Sequence, residues 1–436
     1  MEIKNNKKVI RSWAMFDWAN SVYNLVITST IFPVYYTTIT TSSETGDRVS
    51  FFGYSFVNTA LSNFALSLAY LIMALALPFL SAYADVAGRK HFFMRIFTVV
   101  GSVACMGLFF FTIDTLELSI ILYGLAAMGY IGGVAFNNAY LPLIATPDKQ
   151  DEVSAKGFAY GYVGCVTLQL ICFIFVFKPE WFGITDPSFP ARFSFLLVGL
   201  WWLGFSFIPF RALPKDKPHK YKREVSIFKK ATSEFAEVLK AVKANPYIKR
   251  FLPAYFFYSM GVQTLMIVAA AFGEKVLQLG ASKLIATILL IQLVAIVGAT
   301  GMSFLSRFIG NVRVLMINVF LWVLICVSAY YLAYEWQFYL LAAMVGLLMG
   351  GIQSMSRSTY SKYIPQGTKD TVSYFSFYDV SEKVAIVLGL FSFALIEQMT
   401  NNIRNSALML SLFFIIGLLL LINVRRVEKK QTSTHG

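Results

Sequence analysis

Long apolar runs recur along almost the whole chain, separated by short polar stretches. A bilayer core of ~30 Å takes about 20 helical residues. Runs of that length lie near 12–38, 57–83, 92–113, 118–145, 156–178 and 192–211. After a longer polar stretch they resume near 248–273, 283–306, 313–334, 336–361, 373–397 and 403–424. The pattern predicts an all-α polytopic membrane protein of about 12 spans, several long enough to tilt. Between Glu224 and Asn245, Phe228, Ala231, Phe235, Val238 and Val242 recur at helical spacing with lysines on the other side. That predicts a short amphipathic helix lying on the membrane surface, with a solvated, partly helical connector as the alternative.

The pattern repeats. Gly132-Gly133 precedes Pro147 by the spacing that separates Gly350-Gly351 from Pro365, and Val153-Ser154 with Phe158 matches Val372-Ser373 with Phe377. The offset of 218–219 residues is half the chain, so spans 4–5 correspond to spans 10–11. The expected organisation is a six-helix bundle over 1–211, a linker with the amphipathic helix over 212–247, and a second six-helix bundle over 248–436. Parallel halves of this kind occur in transporters, with the solute site between them.

Composition agrees. The chain is 57% hydrophobic and 14% charged, against about 25% charged for a soluble domain. The net charge of +14 does not point to nucleic acid, because the bases sit in short loops between apolar runs. If the N-terminus is inside, the inner segments hold 30 Lys and Arg and the outer ones 6, with Lys383 inside a span. The positive-inside rule then puts both termini in the cytoplasm, in a multi-pass protein of the plasma (inner) membrane. Cys105, Cys165, Cys172 and Cys326 all fall in apolar runs, which argues against a disulfide framework. There is no G-x-x-x-x-G-K-[ST] loop for direct ATP drive. No His/Cys cluster of metal spacing and no plausible Ser-His-Asp site stands out among His91, His219 and His435. No catalytic residue, metal or cofactor is expected.

The loop after span 2 reads Ser81-Ala82-Tyr83-Ala84-Asp85-Val86-Ala87-Gly88-Arg89-Lys90. An acid, then Gly, then two bases in a tight turn resembles the signature loop of the major facilitator superfamily. Gly88 permits the turn, Arg89 and Lys90 suit an anionic leaflet, and Asp85 can meet a base or a helix N-terminus across the halves. A degraded copy runs from Gly301 through Ser306-Arg307 to Gly310 and Arg313. A narrower resemblance covers nearly the whole chain. Ser12-Trp13-Ala14-Met15-Phe16-Asp17-Trp18-Ala19-Asn20-Ser21, Gly350-Gly351-Ile352-Gln353-Ser354 with Ser356-Arg357-Ser358, and Phe377-Tyr378-Asp379-Val380-Ser381 resemble the vacuole-effluxer-like, autophagy-related branch of that superfamily. Gly261-Val262-Gln263-Thr264 is similar to its span 7 block, although Ser259-Met260 stands where that block usually has Asn-Asp. The resemblance implies export of small solutes, and its fungal members are associated with amino-acid release from vacuoles.

Charges deep in a bilayer are costly enough to mark function. Asp17, Asn20 and Asn24 share one face of span 1, extended by Thr28, and form a candidate cavity wall, with interhelical bonding as the alternative. Span 10 offers Gln353 and Arg357, the latter either a ligand for a solute carboxylate or an anchor at the inner helix end. Asn137 and Asn138 stand at the related part of span 4, and Gln263 on span 7. In span 11, Asp379 and Lys383 are four apart and predicted to pair in a structural or gating role, beside Asp85, Gly88, Arg89 and Lys90. A nearby cation holds a carboxylate ionised, so Asp17, with only Asn20 and Asn24 near in its helix, and Glu382, with no base four residues away, are the expected proton carriers. Pairing of Asp17 with Arg357 across the halves is the alternative. The expectation is a monomeric secondary transporter for a small polar solute in contact with membrane lipid, possible proton coupling included. A transporter-like sensor without turnover comes second and an intramembrane enzyme a distant third.

Overall fold

A computed structural model describes residues 4–42, 46–215 and 227–432. Among the described residues twelve helical spans run between two faces, and ten are long and apolar enough to cross a membrane by length and composition alone. Span 1 is not among the ten because it is divided: an α-helix Lys7–Val22, a π-helical stretch Tyr23–Ile31 and a second α-helix Phe32–Thr40. Pro33 cannot donate to the turn before it, and the wider turns that result suit a π-helix. The hydroxyls of Ser29 and Thr30 donate back to the carbonyls of Asn24 (2.9 Å) and Leu25 (2.8 Å). Span 11 is the other, made polar by Asp379, Glu382 and Lys383.

Spans 2 to 6 are Asn58–Ala87, Lys90–Gly107, Leu116–Asn138, Gln150–Phe177 and Phe189–Ala212. Spans 7 to 12 are Ile248–Leu277, Ala281–Ile309, Asn311–Tyr330, Glu335–Tyr363, Thr371–Thr400 and Ile403–Thr432. Span 4 stops at Asn138, short of the expected 145, and a separate turn Leu141–Ile144 follows. Pro142 has no N–H for the carbonyl of Asn138. A β-hairpin that hydrophobic patterning did not reveal links spans 1 and 2. Arg48–Phe51 (β1) pairs antiparallel with Tyr54–Val57 (β2). Phe52 and Gly53 turn it at φ of 48° and 83°, as a two-residue hairpin requires, and Glu117 accepts from the Phe52 N–H at 2.7 Å.

Packing repeats with the sequence. Span 1 lies against spans 5 and 6 as span 7 does against 11 and 12, span 4 against 2 and 3 as span 10 against 8 and 9, and span 3 against 6 as 9 against 12. The bundles meet where span 2 packs on 11 and span 5 on 8 and 10. Large apolar side chains such as Phe64, Leu68, Leu75 and Phe391 are exposed around the outside, where lipid covers them. The first and last described residues and the linker helix lie on one face, called here the terminal face. Asn5 is hydrogen-bonded to Thr146 in the span 4–5 connection, and Tyr363, at the end of span 10, donates to Glu428 at 2.7 Å.

The linker helix is Ile227–Ala244. The expected start at Glu224, together with Lys217, His219, Lys220, Lys222 and Arg223, lies outside the described residues, as do the side chains of Phe228 and Ala231, and His435. The helix packs on spans 2, 7 and 11, with Val238 and Val242 buried. Phe235 sits between Phe79 of span 2 (centroids 5.3 Å) and Phe377 of span 11 (5.7 Å), so its apolar row faces protein where a seat on the membrane surface was expected. Beside it, Glu234 is pushed up to about 7 by burial and by the neighbouring Asp370 carboxylate.

Candidate functional site

Most of the buried charged and amide side chains of the described spans gather along the seam between the halves, where they form three tiers. The lowest is at the terminal face. Span 2 ends at Gly88, whose φ of 60° is one that other residues adopt only with strain. The turn sets Asp85 against the start of span 11, where its carboxylate accepts from the Ser373 N–H (2.8 Å) and hydroxyl (2.7 Å). Four orphan N–H groups and a partial positive charge mark such a helix start. Lys90 contacts Asp85 at 3.1 Å and donates to the Lys369 carbonyl (2.7 Å) and Thr371 hydroxyl (3.0 Å). Arg89 is exposed, its guanidinium 6.0 Å from the Phe92 ring. The related corner carries the acid on the span instead. Asp151, at the start of span 5, accepts from Lys362 (2.6 Å), Asn311 (2.7 Å) and Ser306 (3.1 Å), and Glu152 from Arg307 (3.0 Å). Sequence reasoning missed Asp151, Glu152, Asn311 and Lys362. The repeat held the signal, since the offset that aligns Ser154 with Ser373 also aligns Asp151 with Asp370.

The second tier is built around Arg357, which is 3% exposed. Its guanidinium lies between the rings of Phe158 (4.2 Å) and Trp13 (4.7 Å). It donates to Asp17 (3.0 Å), to Asn138 Oδ1 (3.3 Å), and to the hydroxyl (3.0 Å) and carbonyl (2.8 Å) of Ser154. Planar, bidentate and stacked contacts of this kind suit Arg and not Lys. Gly157 leaves the room, because a Cβ there would come within 2.4 Å of Asp17 Oδ2 and 2.7 Å of Arg357 Nη2. The paired asparagines divide their work: Asn137 donates to Asp17 and Asn138 to Asp379, each at 3.4 Å. Asn20 is buried beside them.

The third tier lies farther in. Tyr162 donates to Gln353 at 2.7 Å, and Gln353 reaches Met266 Sδ at 3.6 Å. Gln263 donates to Glu382 at 2.8 Å, and Lys383 donates to the other oxygen of Glu382 at 2.5 Å, with its ammonium 5.9 Å from the Tyr70 ring. At ~1.5 Å per residue Glu382 stands roughly 17 Å from the start of span 11. Asn24, Gln263, Gln353 and Glu382 are half-buried, unlike the members of the second tier. The polar bonds so far described between the halves all lie from this tier to the terminal face. Beyond it Gln292 of span 8 donates to Gln169 of span 5 at 3.0 Å.

Three sequence expectations are corrected. Lys383 pairs with Glu382 and not with Asp379, because Asp379 turns into the seam toward Asn138 while the long Lys383 side chain folds back beside its neighbour. Glu382, expected to lack a base, therefore has one. Asp17 has Arg357 as its partner, the cross-half alternative, while Asn137 of span 4 takes the place expected of Asn20 and Asn24.

This architecture, two repeated six-helix bundles with a polar seam, is the major facilitator fold, the fold of a class of membrane transporters. It superposes on the human organic anion transporter MFSD10 with a TM-score of 0.71 at 13% identity, covering 95% of this chain and 99% of that one. It superposes on a bacterial homologue of the iron transporter ferroportin in its outward-facing state with a TM-score of 0.66 at 11% identity, covering 96% and 98%. The profile of the vacuole effluxer Atg22-like family matches residues 5–434, and the chain belongs to that family. It is 28% identical to the uncharacterized MFS-type transporter YxiO of Bacillus subtilis, over 99% of this chain and 97% of that one. It is 26% identical to autophagy-related protein 22 of Kluyveromyces lactis, over 84% and 80%.

Proposed function

We propose that the protein is a monomeric secondary transporter that moves a small polar solute by alternating access. In this reading the terminal face is cytoplasmic, the membrane is the plasma (inner) membrane, and the described conformation is closed to the cytoplasm. The observation that carries it is the distribution of polar bonds along the seam: a dense set from the third tier down to the terminal face, and the Gln292–Gln169 bond beyond.

The half-buried third tier is the solute site of this proposal. Glu382 and Lys383 supply one charge of each sign within one group, and Asn24, Gln263, Gln353 and Tyr162 supply neutral donors and acceptors. That set is complementary to a zwitterion, whose ammonium meets Glu382 and whose carboxylate meets Lys383. An amino acid is the simplest solute of that kind, and export is the direction that the family's description as a vacuole effluxer supports. Asp17, Asn20, Asn137, Asn138 and Arg357 meet the solute in this scheme only after the terminal face opens.

The test is counterflow in proteoliposomes with a panel of radiolabelled amino acids. Exchange is expected for at least one, with a loss of about tenfold or more in Glu382→Gln and in Lys383→Met, since each leaves a buried charge unpaired. Absence of exchange for every amino acid, with exchange of another solute class, overturns the zwitterion reading. No flux of any solute overturns the transporter reading in favour of a sensor.

A further inference from the structure

Besides Asp151 and Glu152 at the start of span 5, which have Lys362 and Arg307 as partners, four carboxylates line the polar seam of the spans. Asp17 has Arg357 at 3.0 Å, Asp85 has Lys90 at 3.1 Å and Glu382 has Lys383 at 2.5 Å. Asp379 is different. It is 3% exposed, its Oδ1 accepts one long bond from Asn138 at 3.4 Å, its Oδ2 has no hydrogen-bond partner, and no ion pair includes it among the described residues. Lys383, one turn along the same helix, has turned its ammonium to Glu382. An ionised carboxylate is poorly tolerated in such a place, whereas a neutral acid is not.

Two cations stand near Asp379 without pairing with it: Lys383, whose ammonium is bonded to Glu382, and Arg357 across one amide. The Asn138 amide stands between Arg357 and Asp379, accepting from Arg357 on its oxygen at 3.3 Å and donating to Asp379 from its nitrogen at 3.4 Å. Sorting these groups by half gives them a direction. Asp17, Asn137, Asn138 and Ser154 belong to the first half, Arg357 and Asp379 to the second. Within the second half spans 10 and 11 are held together at this level, since Tyr360 donates to the Tyr374 carbonyl at 2.5 Å and its ring lies tilted against that of Tyr378, centroids 5.2 Å apart. When the terminal face opens, the first half carries Asp17, Ser154 and Asn138 away from Arg357 in one movement. Arg357 and Asp379 stay together with the amide gone from between them.

We propose that Arg357 is a counter-ion shared in turn by two aspartates, Asp17 when the terminal face is closed and Asp379 when it is open, and that Asp379 is the group that carries a coupled proton. The proposal rests on the transporter reading above. It moves the carrier role from Asp17 and Glu382, each of which has its own cation, to the acid that sequence reasoning set aside. The step balances without any redox partner. With the terminal face closed, a proton passes from water on the far side by way of Glu382, one turn farther out and 19% exposed in its side chain, and an O–H bond forms at Asp379 Oδ2. With the terminal face open, Arg357 pairs with the Asp379 carboxylate and the proton leaves to water on that face. One proton crosses per cycle. The other charged and titratable groups turned toward Asp379 are Tyr378, Glu382 and Lys383 on its own helix and Tyr360 on span 10. Span 7 brings Tyr255 onto Tyr378, span 2 brings Tyr70 to Lys383 and Asp85 to Ser373, and the linker helix brings Glu234 to Asp370.

The test needs no solute, so its outcome is independent of whether any flux is found. The full-length protein in lipid nanodiscs is studied at neutral pH by infrared spectroscopy for the C=O stretch of a buried, protonated carboxyl. The expected band moves on carboxyl-¹³C labelling of Asp but not of Glu, which locates it without any substitution. It disappears in Asp379→Asn, an isosteric mimic of the neutral acid. It weakens in Asp17→Asn, where Arg357 is released to Asp379. Absence of the band, a band that follows the Glu label, a band that survives Asp379→Asn, or one indifferent to Asp17→Asn overturns the proposal.

Discussion

Replacing Asp85 by Asn isolates the electrostatic part of the seal at the terminal face. The side chain keeps its shape, and one oxygen still accepts from Ser373. What changes is charge. Lys90, itself buried, then faces a neutral amide, and breaking a buried pair by removing one partner costs about 3–5 kcal/mol. Lys90 retains the Lys369 carbonyl and the Thr371 hydroxyl, which argues for the low end, and the change of the Ser373 bonds from charged to neutral adds ~1 kcal/mol. Once the face opens, both groups are hydrated, so the loss falls on the closed state alone. At 1.4 kcal/mol per decade, the resulting ~4 kcal/mol moves the closed-to-open ratio about 700-fold. Ser361→Cys supplies the reporter. The Ser361 hydroxyl has no partner, and the residue lines the seam with Lys4, Pro142 and Gln150, while the four native cysteines are buried. A membrane-impermeant maleimide applied from the terminal face should label the introduced thiol far faster in the Asp85→Asn background. An unchanged rate refutes the latch.

Three further outcomes follow from the same geometry. Gly157→Ala inserts a methyl against Asp17 and Arg357, and overpacking of ~1–3 kcal/mol should raise labelling of the same reporter thiol about tenfold; labelling at the parent rate would mean that the second tier does not hold the face shut. Glu234 should gain a proton when the linker helix docks, because docking raises its carboxyl to about 7 from an ordinary value near ~4.3. Docking is thus favoured at low pH and weakens as pH rises through 7, so hydrogen exchange across Thr232–Ala244 should be slower at about pH 6 than at about pH 8 after correction for intrinsic rates, with the difference abolished in Glu234→Gln. Pro33→Ala restores a backbone N–H in span 1 and should let the π-helical stretch relax toward an α-helix, turning Asn24 by about 100° per residue of register; solute exchange unaffected by the change would show that the π register does not position Asn24.

The spans, their number and the repeat were legible in the sequence because hydrophobic periodicity is set by the bilayer and survives without knowledge of neighbours. Asp85 was legible for a similar reason, since Gly88 forces a turn that leaves the acid one direction to point. The pairing of charges in span 11 was not legible. Helical spacing favours Asp379 with Lys383, but Asn138 arrives from a residue 241 positions away and draws Asp379 into the seam. Asp17 shows the same limit, its partner lying 340 positions along the chain. The β-hairpin was hidden between two spans because Arg48–Val57 is too short and too mixed to announce a period against such apolar neighbours.

The place of Phe235 gives the linker a mechanical meaning. A tether would leave the two halves free to tilt, but this ring is a wedge driven into the joint between spans 2 and 11, gripped by one aromatic from each side. The joint cannot gape at that corner with the wedge gripped from both sides, so the work of gaping includes the work of extraction. That work depends on where the wedge goes next. A helix apolar along one edge and basic along the other has a ready resting place at an anionic bilayer surface. In the alternating-access reading proposed above, the lipid around the protein then enters the energy of the conformational cycle, through a segment away from the proposed solute site.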